Sequence, residues 1–342
     1  MKVGYVVPGM LAALLGAFPA VAVAATPAEI LGRIPAPVFD AAWVQNDRTY
    51  GGLDWPNRTQ WHSVQYQRFA MESLIAAAVH GSDGQVAQYF AVIETGFDHQ
   101  KPDGSFEDEQ AATKPVVLPT AAAFFLGDVA EALLVLRSSS LGPRYAARIQ
   151  AVLPRYRAGL RYLSQPQSIA DMQATDRYAT NRQLEDAKAL LLGDQLVGGD
   201  AQAHAAGEAI LDHALAEQSP AGYFPENGGS DTSYNGVSCM LVGELTVELS
   251  SPRLPAALDR CISWELGPVQ PDGEVEATGN TRTGPGGERA PSGRPKGVNY
   301  REVCRAFAIA GALGNARAMD AATRIAGYMR AHNLITGEEP AK

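Results

Sequence analysis

Pro220-Ala221-Gly222-Tyr223-Phe224-Pro225 sets the reading of this chain, because two other stretches repeat its shape. Lys101-Pro102-Asp103-Gly104-Ser105-Phe106 and Gln270-Pro271-Asp272-Gly273-Glu274-Val275 also put a glycine turn after a helical stretch, then an aromatic or apolar residue. Gly222 and Gly273 are 51 positions apart, about one helix–loop–helix hairpin; Gly104 and Gly222 are 118 apart, about two. Self-similarity at this period marks an array of helical hairpins. Open superhelical arrays lack long glycine-rich loops bearing aromatics. A closed ring of hairpins has such loops at one end of a central cleft. The expected fold is therefore all-α: an (α/α) toroid, either incomplete or a six-hairpin barrel, with long Gly-rich loops at one end.

Apolar residues recur at helical spacing over 61–80, 85–96, 119–138, 143–164, 180–195, 200–217, 236–249, 253–266, 300–314 and 316–332. Alanine, the best helix former, is frequent in these segments. Val116-Val117-Leu118 is the one short β-branched run, and prolines bracket it. No Pro/Ser-rich linker divides the chain, so residues 26–342 read as a single domain.

Residues 1–25 read as a cleavable export signal. Lys2 precedes an apolar stretch through Leu11, Leu14, Leu15, Phe18 and Val21, which ends in the small residues Ala22-Val23-Ala24-Ala25. Pro8, Gly9, Gly16 and Pro19 interrupt the run, whereas a spanning helix needs roughly 20 continuous apolar residues. A periplasmic or secreted protein without membrane insertion is expected. With 46% apolar and 19% charged residues the composition is that of a globular protein. The net charge of −9 becomes −10 when Lys2 leaves with the leader, which disfavours nucleic acid and anionic lipid as partners. Cys239, Cys261 and Cys304 fit no metal or redox spacing. In an oxidising compartment they leave open one disulfide with one free thiol, or buried thiols throughout. No cofactor or metal is expected, and the oligomeric state is not legible.

The richest segment runs from Ala221 to Ser238 and includes Tyr223, Phe224, Glu226, Asn227, Asp231, Tyr234 and Asn235. Loops crowded with directional groups tend to carry function. Its Gly-aromatic-x-Pro start and its Tyr234-Asn235 helix opening resemble the catalytic loop of toroid-type polysaccharide lyases. These are the alginate lyases, the heparinase II/III-like enzymes and the hyaluronate and chondroitin AC lyases. The resemblance implies that Tyr234 transfers protons. Thr180-Asn181-Arg182-Gln183-Leu184 resembles the Asn-His helix start of the heparinase-like group, with Arg182 in the place of the histidine. It implies that Asn181 helps neutralise a substrate carboxylate. Trp61-His62, opening a helix after an aromatic-rich loop, is a third partial match.

The chemistry leads the same way. Eliminative cleavage of a uronate polymer removes a proton α to a carboxylate, which requires the carboxylate charge to be neutralised and a base within hydrogen-bond reach. Tyrosine, with an ordinary pKa of about 10, serves as base when a nearby cation lowers it. The expected catalytic set is Tyr234, His62, Asn181 and Arg282, and the expected substrate-binding set is Asn280, Asn235, Tyr223, Glu226, Asp231, Trp61, Arg289 and Lys296. Five of these or their neighbours (Arg282, Arg289, Arg294, Lys296 and Arg301) form a basic strip interrupted only by Glu288. A glycan substrate is the expected partner. Two other classes stay open: an inverting glycoside hydrolase that uses two of the loop acids Asp103, Glu107, Glu226, Asp231 and Glu274, which requires carboxylates roughly 6.5–9.5 Å apart, and a noncatalytic glycan-binding or envelope assembly protein. The five histidines other than His62 read as structural or solvated.

Overall fold

The computed structural model describes residues 25–44, 61, 63–107, 118–289 and 293–334. The export signal read over residues 1–25 lies outside them except for Ala25, as does His62. Within them the chain is all-α, with thirteen α-helices, one 3₁₀ turn (Val64–Arg68) and no strand. The helices are α1 (Pro27–Leu31), α2 (Ala36–Trp43), α3 (Phe69–Val79), α4 (Asp83–Asp98), α5 (Leu118–Ser138), α6 (Gly142–Leu163) and α7 (Pro166–Asp176). They continue with α8 (Thr180–Val197), α9 (Ala201–Ala216), α10 (Thr232–Glu248), α11 (Arg253–Glu265), α12 (Tyr300–Ala312) and α13 (Ala316–Ala331).

Burial divides the helices into two kinds. In α8 nearly every residue from Gln183 to Gly193 is buried, and in α10 nearly every residue from Thr232 to Leu245. A helix covered on all sides is a core helix. α6 buries only a stripe, Tyr145, Ile149, Val152, Leu153, Tyr156, Leu160 and Leu163, at the i, i+3, i+4, i+7 spacing of a helix with one wet face. The core helices pack in sequence, α3 on α5, α5 on α8, α8 on α10 and α10 on α12, and α2 packs on both α12 and α3. The order of neighbours thus returns to its start. α4, α6, α9, α11 and α13 back α3, α5, α8, α10 and α12 in turn. Among the described residues there are five such hairpins, and α2 lies between α12 and α3 in the order of neighbours. α5 is long and apolar enough to cross a bilayer over Pro119–Ser138, but 89% of that stretch is buried inside the protein.

The short α1 was not legible in the sequence, and neither were α2 and α7. α1 touches α3, α5, α10 and α12. It is held at their C-terminal ends, with Ala28 N–H donating to Ser138 Oγ and Arg33 to the Ala312 carbonyl. One end of the ring is therefore covered. The opposite end is formed by the N-termini of α3, α5, α8, α10 and α12. The expected helix over 61–80 begins instead with the 3₁₀ turn, capped by Ser63.

The three glycine turns are one device used three times. Lys101, Ser219 and Gln270 each donate a backbone bond across the turn, to Ser105, Tyr223 and Glu274. Gly104, Gly222 and Gly273 all have φ between 90° and 108°, a region that only glycine enters without strain. A Cβ at these positions would collide with the carbonyl of Ala158, Arg260 or Arg324, each on the outer helix of the next hairpin. Each turn so docks one hairpin onto its successor, and Phe106, Phe224 and Val275 beyond the glycines are buried. Gln100 and Gln218 seal the first two junctions, each donating to the turn glycine and to a carbonyl of α6 or α11. A disulfide joins Cys239 of α10 to Cys261 of α11, and Cys304 is a buried free thiol. Closing the 22-residue separation contributes on the order of 3 kcal/mol through the unfolded state.

Gly222→Ala combines a strained φ with a backbone collision. It should lower the unfolding free energy by about 2 kcal/mol or more, read as a fall in the urea midpoint with unchanged slope.

Candidate active site

A cleft of about 340 Å³ opens at the end of the ring opposite α1. Its walls come from the N-terminal portions of five helices: Arg68 just before α3 and Glu72 within it, Phe124 and Asp128 of α5, Asn181, Arg182 and Glu185 of α8, Tyr234 and Met240 of α10, and Asn299, Glu302 and Arg305 at the start of α12. Arg282 and Lys296 reach in from the loop between α11 and α12. Helix N-termini carry partial positive charge and unpaired N–H groups, so the ring supplies an anion-tolerant rim before any side chain is counted.

Tyr234 lies in the first turn of α10, 8% exposed. The Arg282 guanidinium sits 3.9 Å from its ring centroid and Lys296 Nζ 4.8 Å from it. Asp231 makes this arrangement. As N-cap of α10 it accepts from Ser233 and Tyr234 N–H, and it also takes Arg282 N–H, Thr283 N–H and the Thr283 hydroxyl. One buried carboxylate thus starts the helix and fastens the basic loop across it. Arg282 is steered further by Glu226 at 3.0 Å and Glu288 at 2.7 Å, and Glu288 also holds Lys296.

Tyr234, Asn181, Arg282 and Lys296, four of the candidates, line one cleft. The other substrate-binding candidates do not reach it. Asp231 and Glu226 are fully buried and occupied by the bonds just given; the Glu226 carboxylate also takes Asn181 N–H. Asn235 accepts Phe224 N–H and donates to Glu265 at 2.6 Å, which pins the loop to α11. Asn280 is consumed by Thr232 and Thr283. Tyr223 packs on Trp264, and Trp61 stacks on His99 while its Nε1 donates to the Glu107 carbonyl. Arg289 is exposed at a hairpin tip and donates to the Gly293 carbonyl. These residues build and clamp the loops instead of facing a ligand. The loop acids of the hydrolase reading fare the same way: Asp103 caps its own turn through Ser105, Glu107 bonds His99, and none of the five lines the cleft.

The sequence reading did not single out Arg68, Glu72, Asp128, Glu185, Glu302 or Arg305. Glu185 carried a usable signal, since it lies one helical turn beyond Asn181 and shares its face. The others arrive from separate helices, and only the closed ring unites them. Asp128 and Arg305 also form the floor. Lys188, 1% exposed, lies 2.7 Å from carboxylate oxygens of Asp128, Glu131 and Glu244. Arg305 pairs with Glu72 at 2.6 Å and Glu244 at 3.4 Å and donates to the Ala42 carbonyl. Burial, and then the neighbouring Glu244, push the Glu131 carboxyl up to about 8. Burial likewise carries Glu185 well above the ordinary carboxylate range, with Asp128 adding to the shift, and it raises Glu302. At the mouth Arg182 pairs with the buried Asp176. No group of His, Cys, Asp or Glu among the described residues is arranged to hold a metal ion.

Comparison with known proteins leaves the site to speak for itself. No family model, no curated protein and no solved structure matches this chain.

Two predictions concern the frame of the site. Asp231→Ala strips five donors of their acceptor and should destabilise the fold by about 3 kcal/mol or more, visible as a lowered melting temperature. Glu265 is pushed up to about 8 by burial, against roughly 4.3 in an unfolded chain. The folded state therefore holds the extra proton. Its contribution to stability is complete below about pH 4.3 and is lost as pH rises through 8, at up to about 1.4 kcal/mol per pH unit. Urea unfolding between pH 5 and pH 9 should show this decline in the parent and a flatter profile in Glu265→Gln.

Proposed function

We propose that the protein is an extracytoplasmic carbohydrate-active enzyme that cleaves an acidic glycan by β-elimination, with Tyr234 as the proton-transfer residue. The observation that carries this reading is the meeting of Tyr234, two cations on its ring and Asn181 in a cleft at the helix N-termini. The ring of helical neighbours with its Gly-rich loops at one end supports the toroid architecture to which the lyase resemblance points. The Cys239–Cys261 disulfide supports export to an oxidising compartment.

In this reading the phenolate oxygen of Tyr234 takes the proton from the carbon α to the sugar carboxylate. The β C–O bond breaks as the electron pair becomes a C=C bond conjugated with that carboxylate. The leaving oxygen then takes the proton back from the phenol. Cationic and neutral-acid groups around the carboxylate stabilise the charge that spreads onto it during proton loss. Asn181, through its amide N–H groups, and Arg282, through its field while it stays paired with Glu226 and Glu288, serve this role here. His62, expected in the same set, lies outside the described residues.

The test uses a panel of uronate glycans, with ultraviolet absorbance and reducing ends followed together. Elimination raises both signals. Tyr234→Phe should lower turnover at least about 100-fold while leaving the melting temperature within a degree or two, since the frame engages the backbone N–H and the ring of this residue, both of which phenylalanine keeps. Reducing ends without absorbance would assign the cleft to a hydrolase instead, and full activity in the Phe variant would remove Tyr234 from the chemistry.

A further inference from the structure

The charges of the cleft differ in how they are engaged. Arg182 pairs with Asp176, Arg282 with Glu226 and Glu288, Lys296 with Glu288, and Arg305 with Glu72 and Glu244. Arg68 alone among these cations makes no contact ion pair among the described residues, although its charge acts on the Glu185 carboxyl. Its guanidinium lies instead on two aromatic rings, 4.1 Å from the Phe124 centroid and 4.9 Å from that of Phe69. Rings hold the plane of a guanidinium while leaving its N–H edge for a ligand.

Two acceptors in the same cleft also lack partners. Asn181 Oδ1 and Glu185 Oε1 are buried without a hydrogen bond, and Glu185 as a whole is 7% exposed. Gly127 lies against Glu185, where a side chain would meet Oε1, so the helix facing it leaves room for the carboxyl. A buried polar atom without a partner costs about 1–3 kcal/mol, and a ligand hydroxyl relieves that cost. A second anionic group entering beyond Arg68 would meet Asp128, Glu72 and Glu302 with no unengaged cation to receive it.

We propose that Arg68, Asn181 and Glu185 form the sugar-reading subsite of this cleft: Arg68 takes one carboxylate, Asn181 and Glu185 take hydroxyls, and the substrate is accordingly an unsulfated uronate glycan. The proposal rests on the glycan reading above and narrows it. Sulfated polymers carry more negative charge per sugar than one available guanidinium answers, and sulfate esters replace the hydroxyl donors that the two acceptors require.

Binding separates this proposal from the elimination chemistry. Calorimetric titration of the Tyr234→Phe protein with oligomannuronate, oligoglucuronate and oligogalacturonate should show saturable binding of at least one, and at least tenfold weaker binding of heparin and chondroitin sulfate oligosaccharides of equal length. Arg68→Ala should weaken the uronate at least tenfold, with Arg68→Lys intermediate. Glu185→Gln, which keeps an acceptor and a neutral donor, should bind within about threefold of the parent, and Glu185→Ala should not. Melting temperatures near the parent value confirm that each variant is folded. Binding that depends on Arg68, without cleavage by the parent protein, would uphold the subsite and remove the elimination reading. Tighter binding of a sulfated oligosaccharide, binding indifferent to Arg68, or no binding of any uronate would overturn the subsite, even where the parent protein cleaves a sulfated polymer by elimination.

Discussion

The carboxylate of Asp231 is the point on which the site depends. It is buried, and both of its oxygens are filled by donors from two stretches about fifty residues apart. On one side it begins α10 by satisfying N–H groups that every helix leaves unpaired at its start. On the other it holds the turn around Arg282 and Thr283. Because the two sets of bonds share one acid, the cation arrives over the Tyr234 ring as a result of how the helix is capped. Glu226 and Asn235 extend the same logic outward, one to Arg282 and α8, the other to Glu265 on α11. The electrostatics of the cleft are thus fixed by residues that never face it.

Below this clamp the ring carries an unusual burden of charge. Lys188 and Arg305 are nearly inaccessible and share Glu244, while Asp128, Glu131 and Glu72 complete their surroundings. Buried ions are costly unless paired and hydrogen-bonded, and here each cation has more than one acid. The excess of carboxyl groups favours their neutral forms: burial raises Glu131, Glu185 and Glu248. A neutral carboxyl donates as well as accepts, which eases the crowding of acids around two cations.

The sequence disclosed the repeating architecture well, because each glycine turn is a local event with a local signature. Gly104, Gly222 and Gly273 announce themselves through neighbouring residues, and the long helices do so through their spacing. α1, α2 and α7 escaped because they are short or weakly periodic, and α1 and α2 also take their stability from contacts with distant helices. The site was legible in part. Tyr234, Asn181, Arg282 and Lys296 were found because they stand at helix starts or in a conspicuous loop. Asp231, Glu226, Asn235 and Asn280 stand in the same conspicuous places but work inward, and composition does not tell a residue that holds a loop from one that the loop presents. Arg68 lacked any local cue, since its importance lies in the rings beneath it and in the acids engaged elsewhere.

α1 is a minor element by length, yet it has a bearing on molecular traffic. Among the described residues, with α1 across one end and the Lys188 network between the core helices, the ring of neighbours is a well and not a tunnel. A polymer cannot be threaded through it and must present itself from the open side. Whatever enters leaves by the way it came, so departure of one molecule and arrival of the next compete for a single doorway.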